Sequence, residues 1–444
     1  MTMISKTMQI MKNSGAKNST GKRISDAGES NPLGIYIHIP FCMSRCRYCG
    51  FYSQAVGRTQ GPEALQKEAA YTDRLVAEIL GYGSQLKRAE SCRRSFSAED
   101  AQDADRRVPL DPGPGENCRE AWRKQFFQGG PYIVDSVFIG GGTPSILPAE
   151  YISRLLSCVK ESFCLKPDAE ITMEANPGTL TESKLRMLKE AGVNRLSLGL
   201  QSFDNRILKA MGRAHTAETF MESYRLARKA GFQNINIDLM FDFPGQRMEQ
   251  WEDTLKKAAA LKPEHISFYG LQIEEGTPLY EDYKMERIPE LDEEKDAEMY
   301  FRALDLLKSE GYHHYEISNA ALPGYECRHN LKYWHFQDYL GIGASASSFM
   351  NGVRVTENPG GGHHVNTFLE NCAEYVFTAL RTDAGVDLQA FRKMFGRELW
   401  EVFSDRREEY RQYAERGLVK EENGHMTLTR EGIPVSNDVM ALFV

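Results

Sequence analysis

Short apolar and β-branched runs alternate with helix-length amphipathic stretches, and this alternation constrains the fold more than any other feature of the chain. Helices between the runs are expected to end at glycine, as at Gly192 and Gly231, because glycine readily takes the left-handed cap conformation. Alternating strands and helices predict parallel strands with right-handed crossovers. The pattern therefore predicts an α/β fold, a partial (β/α)6 barrel with its chemistry at the carboxyl ends of the strands. The six predicted strands are residues 35–39, 133–139, 170–174, 195–200, 234–240 and 265–271.

Breaks in this pattern divide the chain, which at 444 residues is long for a single domain. The mostly polar residues 1–30 are expected to form a disordered leader. The barrel and its extension are expected to occupy residues 31–370. Residues 87–130 are rich in arginine, aspartate, glycine and proline, which predicts a solvated loop insertion after a helix ending near Leu86.

A smaller C-terminal domain is expected over residues 371–444, with the element order of a winged helix. Three helices, the third spanning residues 397–416, precede a hairpin and a final helix. The hairpin turns at Asn423 and Gly424, a pair that favours a type I′ turn. Lys420 precedes two glutamates on this hairpin, so its charges balance and do not indicate DNA binding.

Charge and hydropathy exclude several classes of protein. The formal net charge is −8, whereas a nucleic-acid-binding protein usually has a basic face. No apolar stretch approaches the roughly 20 residues of a membrane span. The nine cysteines are an odd number without a visible secretory signal, so free thiols are expected. These features predict a cytoplasmic protein that does not bind nucleic acid.

Three cysteines directly after the first predicted strand, Cys42, Cys46 and Cys49, have the spacing C-x3-C-x2-C. Three thiolates on one loop can bind three irons of a four-iron cluster and leave the fourth iron open, whereas four cysteines are usual. A zinc site with His38 as fourth ligand is the alternative. Zinc loops usually pair two C-x2–4-C arms, and the sequence contains no second arm.

This cysteine spacing resembles that of the radical S-adenosylmethionine (SAM) superfamily. In that superfamily the amino and carboxylate groups of SAM chelate the open iron, and the cluster passes an electron to the sulfonium. The resemblance implies two cofactors for this chain, a [4Fe-4S] cluster on Cys42, Cys46 and Cys49, and SAM.

Polar residues follow or interrupt several of the predicted strands. A carboxylate inside a parallel strand, such as Glu174 or Asp238, is costly unless it is paired or used. From the residues alone, either carboxylate can equally be satisfied by backbone amides, and Arg213 can be a surface charge. The resemblance implies that these positions bind SAM, with carboxylates on the ribose and arginine on the methionine carboxylate. The residues so implicated are Tyr36, Tyr48, Gly141, Gly142, Thr143, Glu174, Gln201, Arg213 and Asp238.

Five motifs narrow the resemblance to the family that contains oxygen-independent coproporphyrinogen III oxidase. They cover nearly everything from Ile35 to the C-terminus except residues 87–130. The oxidase branch has a further cysteine two positions after the third, where this chain has Phe51. The motifs are P-F-C-x3-C-x-Y-C, G-G-G-T-P-S, E-A-N-P-G, Q-S-F-D and I-N-I-D-L-M.

A further motif, H-N-x-x-Y-W at residues 329–334, resembles the heme-chaperone (HemW) branch of this family. Read alone, a histidine and asparagine in a loop beside two aromatics more often pack than bind heme. The resemblance implies that His329, Asn330, Tyr333 and Trp334 hold heme, with the imidazole as an axial ligand. Cys327 either binds iron or a porphyrin vinyl group, or is a buried structural thiol.

Two departures from the chaperone branch affect these expectations. Gly50 stands where that branch often has aspartate, and the run Gly341-Ile-Gly343-Ala lacks the histidine that often follows it. His363 and His364 either replace this histidine or lie in a surface loop.

The expected function is that of a cytoplasmic heme chaperone that binds one heme, a [4Fe-4S] cluster and exchangeable SAM. Its partner is a heme-acceptor protein of unknown identity, and any membrane contact is peripheral, through that acceptor. Whether the chain is an enzyme is left open. One alternative is radical-SAM decarboxylation of coproporphyrinogen III, which the residue at position 51 disfavours. Another is a zinc-bearing scaffold or regulator that uses its winged-helix-like end.

Overall fold

A computed structural model describes most of the chain. The expected leader, residues 1–30, lies outside the described residues, as does most of the insertion at 87–130. The described segments are residues 31–57, 61–94, 123–128, 131–356 and 362–444.

The strands and helices below carry labels in chain order. The strands are β1 (Asn31–Ile39), β2 (Phe41–Cys42), β3 (Gln54–Ala55), β4 (Tyr132–Gly141), β5 (Leu165–Ala175), β6 (Arg195–Gln201), β7 (Ile235–Phe241), β8 (His265–Gly270), β9 (His313–Glu316), β10 (Asn319–Ala321), β11 (Tyr339–Ile342), β12 (Ser347–Met350), β13 (Val353–Thr356), β14 (His363–Val365), β15 (Val386–Asp387), β16 (Val419–Glu422) and β17 (His425–Leu428). The α-helices are α1 (Pro62–Arg94), α2 (Ala149–Ser162), α3 (Glu182–Ala191), α4 (Asn205–Ala210), α5 (Ala217–Lys229), α6 (Met248–Ala260), α7 (Pro278–Lys284), α8 (Glu293–Ser309), α9 (Arg328–Trp334), α10 (Phe368–Ala379), α11 (Leu388–Phe395), α12 (Leu399–Val402), α13 (Arg407–Glu415) and α14 (Ser436–Ala441).

Twelve of the described strands form one sheet, and its centre is the predicted parallel unit. Strands β1, β4, β5, β6, β7 and β8 are neighbours in this order, and every pair of neighbours is parallel. The six predicted strands are thus confirmed. Beyond β8 the sheet continues with antiparallel β10 and β9, and beyond β1 with parallel β11 and antiparallel β12, β13 and β14.

The two faces of the parallel strands differ in chemistry because successive side chains alternate between them. On β5, Ile171 and Met173 belong to the main apolar core beneath the helices. The intervening Thr172 and Glu174 belong to the opposite, inner face. The apolar side chains therefore pack against the surrounding helices, and the polar side chains line the inside of the barrel. This inner face can line a site.

The predicted glycine caps are confirmed. Gly192 ends α3 in the left-handed conformation with φ of 110°, and Gly231 follows α5 with φ of 85°. Helix α1 extends further than predicted, to Arg94 rather than to Leu86, so the predicted end was wrong. Its extension is charged and lacks an apolar periodicity, which is why the pattern did not reveal it. No α-helix in the described segments has the length and apolar character needed to cross a membrane.

The C-terminal helices surround a small sheet with the strand order β15-β17-β16 and a separate apolar core. Asn423 and Gly424 both have positive φ at the predicted hairpin turn. The single helix predicted over residues 397–416 is wrong, because a 3-10 turn at Ser404–Arg406 separates α12 from α13. Serine and aspartate favour turns over helix interiors, and they occupy the first two positions of this break.

Candidate functional site

The three cysteines lie on the loop that follows β1, at the carboxyl edge of the parallel strands. Their thiols are unpaired and partly exposed. The loop is held at its middle, because Arg47 donates its backbone N–H to the Met211 carbonyl (3.0 Å) and accepts from Leu279 N–H (2.9 Å). The Arg47 side chain also pairs with Asp282 on α7. The elements after β6 and β8 therefore fix the loop in place.

The glycine run after β4 lets this strand end approach the cysteine loop closely. A Cβ atom on Gly142 would come within 2.7 Å of the Phe41 carbonyl oxygen and 3.0 Å of Cys42 Sγ. The neighbouring Gly141 has a φ of 117°, which other residues rarely adopt. The Thr143 hydroxyl lies 3.5 Å from Cys42 Sγ. Glycine is thus required here for space as well as for conformation.

Arg213 is not a free surface charge but lies partly buried beside the cysteine loop. Its Nη2 atom donates to Asn176 Oδ1 and to the Gly199 carbonyl, both at 2.7 Å, and its Nη1 lies 3.6 Å from Cys46 Sγ. Its Nε atom is buried and has no hydrogen-bond partner among the described residues. A small cleft opens at this point between Cys46, Thr143 and Arg213. An unsatisfied guanidinium N–H in a cleft fits a carboxylate ligand.

Asn176 is a site residue that the sequence reasoning missed. Its amide donates to the Thr143 hydroxyl (2.9 Å) and accepts from Arg213, so it connects two predicted SAM positions. The signal was present in the E-A-N-P-G motif, where only the glutamate drew attention.

Glu174 and Asp238 face each other across the inner face of the sheet. Glu174 Oε2 accepts the Gly141 N–H at 3.0 Å, while Asp238 accepts from the Ser197 hydroxyl (2.9 Å) and the Asn236 amide (2.7 Å). Burial, and then the charge of Asp238, raises the pKa of Glu174 to about 8. Burial also raises the pKa of Asp238. At neutral pH Glu174 is therefore mostly protonated.

The remaining predicted SAM positions are distributed around this pair. Gln201 is buried with a positive φ of 71° at the end of β6. Tyr48 packs in an apolar cluster with Met211, near Arg213. Tyr36 lies within β1 and not on the cysteine loop. Its hydroxyl is 3.1 Å from His38 Nδ1, and its ring stacks on Phe138.

Tyr269, at the end of β8, is a lining residue that no motif indicated. Its side chain is partly exposed, and its hydroxyl lies near Ser267 and Asp238. Strand alternation from Ser267 is the signal that would have found it, since residues two apart share a face.

The cysteine loop fits an iron–sulfur cluster better than a zinc ion. Burial raises the pKa of the Cys42 thiol and raises that of Cys49 to about 11, so the thiolates need a compensating cation. His38 lies in β1, with Nδ1 3.1 Å from the Tyr36 hydroxyl and Nε2 3.1 Å from the Tyr52 carbonyl oxygen. In the described segments no three His, Cys, Asp or Glu side chains converge on a single ion position. A cluster instead binds each thiolate through a separate iron.

The H-N-x-x-Y-W motif lies on helix α9, so the loop expected there is wrong. His329 is completely buried, with Nδ1 3.0 Å from the Ser136 hydroxyl and Nε2 2.9 Å from the Tyr333 hydroxyl. Burial, and then the charges of Lys332 and Arg195, lowers the pKa of His329 to about 3. The imidazole is therefore neutral, and both of its nitrogens are occupied.

The structure brings together only part of this motif. His329 and Tyr333 share one face of α9, with ring centroids 5.3 Å apart. Trp334 instead packs under the Arg381 guanidinium, 4.3 Å from its ring. Cys327, just before the helix, is buried with its thiol 3.6 Å from Glu170 Oε1. Asn330, the second residue of the motif, is partly exposed.

The motif and the cysteine loop occupy different depths of the barrel. His329 lies beneath Phe138 and Tyr36, at ring centroid distances of 5.4 and 6.4 Å, and beside Gly34. Gly34 and Ile39 are five residue steps apart on β1, a span of about 16 Å at about 3.3 Å per step. Only the cysteine end therefore matches the expectation that the chemistry collects at the carboxyl ends of the strands.

The two histidines considered as replacements, His363 and His364, are exposed on strand β14. His364 Nε2 bonds the Glu370 carboxylate at 3.0 Å. Strands β13, β12 and β11 separate β14 from β1 in the sheet, so these histidines lie away from the strand that leads into the cysteine loop.

Two family models match the sequence. The Radical SAM superfamily model matches residues 120–258, which include β4 to β7 and the glycine run. The HemN C-terminal domain model matches residues 370–435, which lie in the predicted smaller domain.

Curated relatives match most of the chain. The heme chaperone HemW of Lactococcus lactis is 31% identical over 435 residues, which cover 93% of this chain and 97% of that protein. The heme chaperone HemW of Bacillus subtilis is 30% identical, with coverage of 92% and 98%. The HemW of Escherichia coli is 37% identical over 316 residues, with coverage of 71% and 69%.

Among solved structures, coproporphyrinogen III oxidase (HemN) from Escherichia coli is similar over 93% of this chain and 90% of that chain. The TM-score is 0.71 and the sequence identity is 21%. The likeness concerns the fold, and it confirms the predicted α/β partial barrel with a small C-terminal helical domain.

Proposed function

Because the chain belongs to the heme chaperone HemW family of the radical SAM superfamily, we propose that it binds heme and transfers it to an acceptor protein. Membership of the superfamily implies a [4Fe-4S] cluster and SAM. In this proposal residues 31–370 hold all three ligands, and residues 371–444 form a separate small domain. Free thiols suit a reducing compartment, so we place this function in the cytoplasm.

We assign the cluster to Cys42, Cys46 and Cys49. Three observations support the assignment: the thiols are unpaired, burial raises the pKa of the Cys42 and Cys49 thiols, and the Arg213 guanidinium lies beside Cys46. When bound and reduced, the cluster supplies an electron to the SAM sulfonium. The chain's own contribution is to hold the loop rigidly and to offset negative charge.

SAM lies, in this proposal, between the glycine run and the Glu174–Asp238 pair. The unpartnered Nε of Arg213 is available to the methionine carboxylate, and the ribose hydroxyls meet Asp238. Protonated Glu174 both accepts from Gly141 and can donate to an incoming acceptor. The SAM contacts are Tyr36, Tyr48, Gly141, Gly142, Thr143, Glu174, Gln201, Arg213 and Asp238.

Heme iron binds, in this proposal, to His329. The observation that carries the assignment is a neutral imidazole whose Nδ1 is held by Ser136. With Nδ1–H donating to Ser136, the Nε2 lone pair points at the Tyr333 hydroxyl, which occupies the place of a ligand. Iron therefore has to displace that hydroxyl. Asn330, Tyr333 and Trp334 complete the heme contacts.

Because His329 is completely buried, heme binding requires α9 or its neighbours to move. Tyr333 is only partly buried and lies on the same helix face, so its side chain is the first obstacle. The heme is cargo in this proposal, and a site that opens to load also opens to release. The acceptor remains unspecified.

The direct test is His329→Ala in anaerobically reconstituted protein, with heme binding followed by absorbance. Loss of the low-spin Soret spectrum and weaker binding, with unchanged iron and sulfide content, is the expected result. His364→Ala is the matched control, since this histidine is exposed and pairs with Glu370. A wild-type heme spectrum in His329→Ala would contradict the ligand assignment.

A further inference from the structure

Helix α9 begins without a capping side chain of its own. Its N-cap residue is Cys327, which makes no side-chain cap hydrogen bond. The first N–H groups of a helix have no intrahelical acceptor and need one from elsewhere. A distant strand supplies it here.

Glu170 on β5 provides this cap. Its Oε2 accepts the Arg328 backbone N–H and its Oε1 accepts the His329 backbone N–H, both at 3.1 Å. Oε1 also lies 3.6 Å from the Cys327 thiol. One of these bonds thus reaches the backbone of the proposed heme ligand itself.

The carboxylate is held in a buried and charged environment. Glu170 is 4% exposed, and the neighbouring Arg195 guanidinium is 2% exposed and interacts electrostatically with it. The positive end of the α9 dipole adds a second favourable contribution. A buried carboxylate has to keep these partners, because burying it without them is costly. An exposed carboxylate would hold the helix only weakly.

We propose that Glu170 is a positioning residue for heme: it fixes the start of α9 and thereby sets where the His329 imidazole meets iron. The proposal rests on the proposed function, in which His329 is the axial ligand. Glu170 does not touch heme. Its effect passes through two backbone hydrogen bonds, so the loss of either one displaces the ligand rather than removing it.

On β5, Glu170 lies apart from Glu174, the proposed SAM contact on the same strand. Glu174 lies four residues further along the same face, about 13 Å away at 3.3 Å per residue. The side-chain hydrogen bonds of Glu170 go to residues 327–329, and none of them goes to a proposed cluster or SAM residue.

The test is Glu170→Gln, which keeps the shape but replaces one acceptor oxygen with a donor. We expect hydrogen exchange of residues 328–329 to accelerate more than elsewhere in the heme-free protein. In the reconstituted protein we expect a changed heme ligand-field spectrum and at least about tenfold weaker heme binding, with unchanged cluster content.

The matched control is Asp168→Asn. Asp168 is exposed on the same strand, and its carboxylate lies 3.6 Å from the Arg328 side chain, so it contacts the same helix residue from outside. In this variant, hydrogen exchange of residues 328–329 and heme binding should match those of the wild type. If Glu170→Gln does not fold, Glu170→Asp keeps the charge with a shorter reach and should show the same local effects.

Three outcomes would reject the proposal, and they can be told apart. A wild-type heme spectrum and affinity in a folded Glu170 variant, together with a changed spectrum in His329→Ala, would overturn the positioning role alone. A wild-type spectrum in His329→Ala would overturn the ligand assignment, on which the positioning role rests. Uniformly faster exchange along the whole chain would reduce Glu170 to a general stability residue and also reject the proposal.

Discussion

At the scale of single residues, the proposed heme ligand is a side chain whose hydrogen bonds are already occupied. The Nε2 atom of His329 bonds the Tyr333 hydroxyl, while its Nδ1 atom bonds Ser136. The same imidazole is therefore both well oriented and blocked. Near the cysteines, Gly142 has no space for a side chain, and Glu174 is a carboxyl group that burial keeps protonated.

Removing the blocking hydroxyl should strengthen heme binding. Tyr333→Phe keeps the ring but frees the His329 Nε2 lone pair. A hydrogen bond worth about 1 kcal/mol corresponds to about fivefold higher affinity. Heme titrations of the two proteins measure this, with Tyr224→Phe on α5, whose hydroxyl bonds the Leu261 carbonyl, as the control. Weaker binding in Tyr333→Phe would show that the hydroxyl contacts heme instead.

A methyl group at Gly142 should reduce cluster content. In Gly142→Ala the new carbon meets the Phe41 carbonyl oxygen at 2.7 Å and Cys42 Sγ at 3.0 Å, so the loop has to shift. Gly245→Ala is a control on the same edge, because an added carbon there has no described atom within 4 Å, although its positive φ adds some strain. Iron and acid-labile sulfide analysis after reconstitution is the measurement. Full occupancy in Gly142→Ala would contradict the close approach.

The raised pKa of Glu174 should make the stability of the cofactor-free protein depend on pH. The folded state holds this proton to about pH 8, whereas an unfolded glutamate releases it near a pKa of about 4.3. Between these values the folded state binds more protons, so the free energy of unfolding falls as pH rises, by up to about 1.4 kcal/mol per pH unit. Denaturation at about pH 5.5 and about pH 7.5 should show a smaller fall for Glu174→Gln than for wild type. An equal fall in the free energy of unfolding for the two proteins would contradict the raised pKa of Glu174.

At the scale of elements, long-range contacts decide where the helices lie. Helix α9 takes its cap from β5, and α10 is tied to β13 by the buried pair of Glu374 and Arg354. This pair is bidentate, at 2.6 and 2.7 Å, and Arg354 also donates to the Tyr339 hydroxyl. It joins the helix at the start of the small domain to the large sheet, one strand in from its edge.

Breaking this buried pair should strongly destabilise the protein. Arg354→Met leaves the Glu374 carboxylate buried without its partner, at a cost of about 3–5 kcal/mol. Arg430→Met breaks an exposed pair with Asp305 and should cost less than about 1 kcal/mol. Chemical denaturation compares the two variants. Equal effects would mean that the Glu374 pair contributes no more than a surface contact.

The sequence predicted elements well where the signal was local and poorly where it was not. Strand alternation found β1 and β4 to β8, and glycines marked the ends of α3 and α5. Nothing local showed that Arg213 reaches Cys46, 167 positions away, or that His329 is buried in a helix. The break at Ser404 was hidden because the helical periodicity continues across it.

At the scale of the whole molecule, two proposed sites lie about 16 Å apart along β1, one at the mouth of the barrel and one beneath it. The strands between them are lined by Tyr36, Phe138 and Asp238 on the inner face. We infer that cluster binding and heme ligation are separable functions of one scaffold, since they use different side chains and different ends of the strands.

The most direct test of the proposed chaperone function is an anaerobic heme titration of the cluster-reconstituted protein, with coproporphyrinogen III added in a parallel SAM-dependent assay. We expect saturable binding of about one heme per chain and no turnover of the porphyrinogen. Turnover of coproporphyrinogen with SAM consumption, and no stable heme complex, would contradict this function and show an oxidase that works with Phe51 in place of a fourth cysteine.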